Sequence, residues 1–233
     1  MKKLINYTLL TIMMVSSTFA LEAQTADQAP QTKTPAKYQP KEKTRRFLLR
    51  YLTAVDTMEG DRENMQIVKG FETVADATND DWISQYHAAF YNAVLGAEMK
   101  DSVIGNAMLK KADFYVTRAA ALTKDESEVV LLQAMINGIK IGRNPQLGAT
   151  LGPEVMKGYE KAKTLNPENP RAYVVLGESY LYMPEAAGGG KKKAKEMFEI
   201  ALKKFENDKH DDPAWPRWGK DRATELLKKT SDK

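Results

Sequence analysis

Beyond residue 40 the apolar positions recur every three or four residues, the spacing that puts side chains on one face of an α-helix. Phe47, Leu48, Tyr51, Leu52 and Val55 form the first such stripe and predict a helix over residues 41–57, with Arg45, Arg46 and Arg50 mostly on its solvated back. A clearer pattern follows. Tyr159 and Ala162 end one helix before Pro167, and Pro170 opens another in which Tyr173, Leu176, Gly177 and Tyr180 stand at intervals of three, one and three. Ala194, Phe198 and Ala201 close that pair along a single face. The small Gly177 lets two helices approach where large neighbours fill the space around it.

The pattern has earlier copies. Val116 and Ala119 match Tyr159 and Ala162, Phe71 and Val74 match them again, and Ala89 and Ala134 fall where Gly177 sits. The steps from Val74 to Ala119 to Ala162 to Ala201 are 45, 43 and 39 residues. Each exceeds the roughly 34 residues of a tetratricopeptide unit. The excess lies between the two helices of a pair or lengthens them.

On these spacings the chain resembles exported tetratricopeptide repeat proteins of bacteria of the Bacteroidetes type, over about residues 38–229. The most specific residues are Asp81-Trp82 with Gln85-Tyr86-His87-Ala88-Ala89, then Asn166-Pro167-Glu168-Asn169-Pro170-Arg171-Ala172, and Pro184-Glu185-Ala186-Ala187-Gly188-Gly189-Gly190-Lys191. The resemblance implies an all-α fold, an alpha-alpha superhelix of about three helical hairpins with an N-terminal and a C-terminal helix. The first helix of each hairpin would line a concave groove. In this register the groove carries Tyr86, Phe90, Leu131, Met135, Val174, Glu178 and Tyr182. Tetratricopeptide domains that clamp a terminal carboxylate use Lys and Asn at such places, so that mode is not expected. The loop after Pro184 is also similar to one in periplasmic helical-repeat subunits of TRAP-type solute transporters, which implies a small ligand as the alternative.

The ends set the compartment. Lys2 and Lys3, an apolar stretch over residues 4–15 and small residues up to Ala20 have the order of a secretory signal. The expected boundaries are a signal over 1–23, cut after Ala20 or Ala23, a flexible leader over 24–37 and a repeat domain over 38–233. The leader is rich in Gln, Thr, Ala, Pro and Lys and lacks apolar period. With no cysteine the chain has neither a lipoprotein anchor nor disulfides. A periplasmic or extracellular protein is expected, without a membrane span after signal removal. The net charge of +4, spread over 35 basic and 31 acidic residues, marks no nucleic-acid footprint.

Catalytic signals are missing. The triple glycine before Lys191, Lys192 and Lys193 has Glu185 and Lys192 where a nucleotide P-loop needs Gly and Ser or Thr, so it reads as a turn into a helix. Residues 142–152 read as a glycine-rich loop whose Leu147 and Leu151 cover the core edge. His87 reads as a packed, hydrogen-bonded histidine. Asp208, His210, Asp211 and Asp212 read as a solvated connector, and neither metal nor cofactor is expected. Asp212 and Pro213 predict a helix reaching residue 229, with Trp215 and Trp218 covering the last repeat. The function expected is a non-enzymatic protein-interaction scaffold of the envelope, holding a partner segment in the groove; the alternative is a periplasmic carrier of a small solute.

Overall fold

Side-chain caps mark where several of the helices begin. Asp81 accepts from the amides of Ile83 and Ser84 at 3.0 and 3.3 Å, and Asp101 accepts from Val103 and Ile104 at 2.8 and 3.1 Å. Asn169 accepts from the Arg171 amide at 3.0 Å and is followed by Pro170, whose missing N–H is no loss in the first turn. The computed structural model describes residues 42–55, 61–123 and 126–231. The expected signal and leader lie outside the described residues.

The described chain is all-α. Its helices are α1 (Glu42–Val55), α2 (Asp61–Ala77), α3 (Trp82–Glu98), α4 (Ser102–Leu122), α5 (Ser127–Arg143), α6 (Gly148–Leu165), α7 (Pro170–Tyr182), α8 (Lys191–Phe205) and α9 (Lys220–Ser231). Sequential neighbours pack in pairs, α3 on α4, α5 on α6 and α7 on α8, with α1 and α2 before them and α9 against α8. The repeat positions are what this packing buries. Phe71, Val74, Val116, Ala119, Tyr159, Ala162, Ala194, Phe198 and Ala201 are all in the core. One apolar cluster runs from Leu48 on α1 to Leu176 on α7, and a second joins Val174, Ala194, Phe198 and Ala201 to Ala223 and Leu226 of α9.

Small residues act where the register places them. A Cβ at Gly177 would come within 2.7 Å of the Phe198 ring, and one at Gly158 within 2.6 Å of the Ala134 methyl. The helices of a pair are therefore as close as their side chains allow.

Two expectations need correction. Residues 142–152 are not a loop: α5 runs to Arg143, one 3-10 turn spans Pro145–Leu147, and α6 starts at Gly148, so the added length is mostly helix. Leu147 and Leu151 still pack on the core. Nor does a helix begin at Asp212. Asp212 accepts from the Ala214 amide at 2.9 Å and caps a single turn, but Pro216 lacks the next donor and disfavours helical backbone at Trp215. Residues 207–219 form an irregular loop, and α9 starts only after Gly219, whose φ of 108° suits glycine. The last repeat is covered by Ala223 and Leu226, while the tryptophans lie elsewhere.

Gly177→Ala should destabilise the protein by about 1–3 kcal/mol, although alanine is the better helix former. Urea unfolding followed by circular dichroism checks this. An unchanged or higher midpoint would show that α7 and α8 are free to move apart.

Candidate functional site

The inner face is formed by α3, α5 and α7, and the loop of residues 207–219 is laid across it. Arg171, in the first turn of α7, holds the root of that loop. Its Nε donates to Glu128 of α5 at 2.6 Å, and its two terminal nitrogens donate to Asp208 at 2.7 and 3.2 Å. Arg171 and Glu128 are almost wholly buried. Burial opposes the charge on the guanidinium, but Glu128 and Asp208 outweigh it and raise its pKa further. Burial also acts against the Asp208 carboxylate, yet hydrogen bonds from His210 and Arg171 hold its pKa below the ordinary range. The loop returns to the same place, since a Cβ at Gly219 would lie 3.4 Å from the Arg171 Cγ. Such a loop, with its ends together and its side chains packed beneath it, is an Ω-loop.

Between these ends the loop reaches α1 and α3. Arg45 of α1 pairs with Asp212 at 2.7 Å and with Asp81, the cap of α3, at 3.3 Å. His87 donates from Nε2 to the Ala214 carbonyl at 2.7 Å; a carbonyl only accepts, so the proton is on Nε2. Trp215 packs edge-on against Trp82, with ring centroids 5.3 Å apart, and stacks on His210 at 4.1 Å. Trp218 stacks on Phe90 at 5.6 Å and donates its indole N–H to the Tyr86 hydroxyl at 2.8 Å. Tyr86 in turn reaches Glu128 at 3.5 Å, so a chain of polar contacts links Trp218 to Arg171. Burial first, and then the Glu128 charge, push the Tyr86 phenol well above its usual pKa.

The residues expected to line an open groove are largely covered. Tyr86 and Phe90 lie under Trp218, and Leu131 and Met135 are in the main core cluster. Val174 packs against α9, and Glu178 is buried beside Arg222 of that helix. Burial pushes the Glu178 carboxyl up, against the pull of Arg222. Tyr182, 37% exposed at the end of α7, is the member of the set that reaches solvent.

The connector read as solvated is instead anchored through Asp208 and Asp212. His87 is packed and hydrogen-bonded, as expected. Arg45, expected on the solvated back of the first helix, is buried instead, and Phe47 of its apolar stripe is exposed. Glu128 and Arg171 carried no expected role as charges, because a charge near a helix start normally faces water. Lys193 donates to the Gly188 carbonyl at 2.7 Å, and Gly188 and Gly190 have φ of 89° and 106°, which fits the turn reading of the triple glycine. Among the described residues no group of three or more His, Asp or Glu is placed to hold a metal ion, and no helix is long and apolar enough to cross a membrane.

Arg171→Met should destabilise the fold by about 3–5 kcal/mol, because it leaves the Glu128 carboxylate buried without its cation. Adding Glu128→Leu should recover a large part of that loss. A double-mutant cycle on thermal unfolding measures the coupling, and additive effects would contradict it.

No protein-family model and no curated protein matches the chain. Among solved structures it is similar to the HusA haemophore from Porphyromonas gingivalis, with a TM-score of 0.69 and 27% sequence identity, over 78% of this chain and 90% of that one.

Proposed function

We propose that the protein carries haem, or a flat tetrapyrrole like it, as cargo in the bacterial envelope, and catalyses no reaction on it. The observation that carries this reading is the likeness to a haemophore across 90% of that protein's length at 27% identity. The loop also favours a small ligand over a peptide. An extended peptide in a groove of this kind would run across α3, α5 and α7, and residues 207–219 already take that course.

The inner face still offers suitable chemistry. Trp218 is only partly buried, Tyr182 is exposed, and the flexible Met183 follows it. Aromatic faces stack on a macrocycle, and a thioether adapts to its edge. Trp218 and Tyr182 are therefore the proposed contacts, with Phe90 and Tyr86 supporting Trp218 from below. Capture of a partner segment by an open groove has less support, since Tyr86 is covered by the protein's own indole. The expected signal over residues 1–23 accounts for export.

Haemin titrated into the chain starting at Gln24 should give a saturable change in the Soret band together with quenched tryptophan emission. Trp218→Ala should weaken the affinity about tenfold, the loss of roughly one stacking contact. Absorbance that rises without saturation, or the same isotherm for wild type and a Trp218→Ala, Tyr182→Ala double variant, would sink the reading or its site respectively.

A further inference from the structure

The loop on the inner face is held at two unlike places. Its root rests on Arg171, through Asp208 at one end and Gly219 at the other. Its tip rests on α1 and α3 through Arg45, with Asp212, and through His87, with the Ala214 carbonyl. The root is a buried ion pair with matched partners. The tip depends on an imidazole that is buried and has to stay neutral.

We propose that the loop is an acid-released strap: neutral His87 keeps its tip on α3, and a second proton on that imidazole sets the tip free and uncovers the Trp82 end of the inner face.

The surroundings of His87 leave the second proton no place. Nε2 is already committed to Ala214, and Nδ1 is buried without a hydrogen-bond partner. A proton there would be an unsatisfied donor in an apolar site. The neighbours add to the cost. α2 presents the Phe71 ring at 5.9 Å and α3 the Tyr91 and Tyr86 rings at 6.1 and 5.5 Å. The charged groups near it are Arg45 from α1 and Asp81 from the cap of α3, and Asp212 from the loop pairs with Arg45. Arg45 repels an imidazolium; Asp81 attracts it but already shares Arg45 with Asp212. The seat of the tip is imperfect in a second way, because the Trp215 indole nitrogen is buried without a partner.

The sign follows from proton linkage. Burial, opposed by the Ala214 hydrogen bond and reinforced by Arg45, holds His87 down at about 4, against 6.5 for a free side chain. The closed strap is fully favoured above pH 6.5. As pH falls from 6.5 towards 4 the open form binds a proton that the closed form refuses, and the equilibrium moves towards opening by roughly 150-fold at pH 4. Glu126 and Glu128, at the start of α5 near the root, have carboxyls raised by burial and also take up protons in acid. Because their pKa is raised in the closed form, that form takes up these protons more readily than the open one, so the two glutamates oppose opening while His87 drives it, and a variant of His87 separates the two effects.

Release of the strap does not require the haem reading; only the added expectation, that cargo resting on Trp218 is held less tightly in acid, rests on it. The test uses the cargo-free protein. Trp82, Trp215 and Trp218 are the three tryptophans of the chain and all touch the loop or its seat, so their emission reports the tip. Between pH 6.5 and 4 the wild-type emission should shift to the red while the helical circular dichroism is retained. His87→Gln, whose amide nitrogen can still donate to Ala214 but does not titrate, should remove that shift above pH 4, and His210→Gln should leave it in place. Loss of helical signal together with the shift, or an identical shift in His87→Gln, overturns the proposal. If His87→Gln does not fold, proton NMR of His210→Gln follows the single remaining imidazole. Titration near 4 in step with the emission supports the strap, and titration near 6.5 overturns it.

Discussion

A buried arginine organises the inner face of this array. Arg171 is 1% exposed, and its fixed charge is tolerable there only because Glu128 from α5 and Asp208 from the loop supply carboxylates at 2.6 and 2.7 Å. An ion pair at that depth adds little net stability over a well-packed apolar pair, since the cost of desolvating the charges offsets most of their attraction. What it imposes is geometry. Glu128 has one direction from which Arg171 can reach it, and Asp208 another, so α5, α7 and the loop are fixed to one another in one arrangement. The apolar repeat positions alone would tolerate sliding of one helix pair on the next.

From that anchor the rest of the loop follows. With Asp208 held at one end and Gly219 against the same side chain, the residues between them have to fold back on the array. The array presents Trp82, Tyr86 and Phe90 along α3, and Trp215 and Trp218 meet them ring to ring. Tyr86 is shared by both systems. Its ring is part of the aromatic layer, and its hydroxyl joins Trp218 to Glu128 and so to Arg171. Aromatic burial and ionic pairing therefore select the same loop conformation, which is the agreement between levels that makes a single structure.

The helices and their core were legible in the sequence, and the fate of the concave face was not. Phe71, Val116, Tyr159 and Phe198 declare themselves by spacing, because the constraint that buries them acts within one or two turns of a helix. The contacts that close the inner face join residues far apart, 127 positions between His87 and Ala214 and 132 between Tyr86 and Trp218. No local period encodes them. Glu128, Arg171 and Asp208 look like ordinary surface charges until the fold brings them together. One signal was available: Pro216, three residues after Pro213, argues against the helix read from Asp212, and it leaves Trp215 and Trp218 on irregular chain able to reach across the array.

On the proposed reading, the covered face changes what kind of ligand the array suits. Open helical arrays of this sort hold extended segments because their inner surface is long and continuous. Here the protein's own backbone takes that length, and the loop places tryptophan over the phenylalanine and tyrosine that would otherwise have been the contact surface. Trp218 stays partly exposed there, backed by Phe90 and tied to Tyr86. A rigid planar molecule can use such a surface with little ordering cost, whereas a flexible peptide would have to give up much of its conformational freedom for few contacts. Because Trp218 is also bound through Tyr86 and Glu128 to Arg171, anything that rests on it bears on the charge that sets the helices in register.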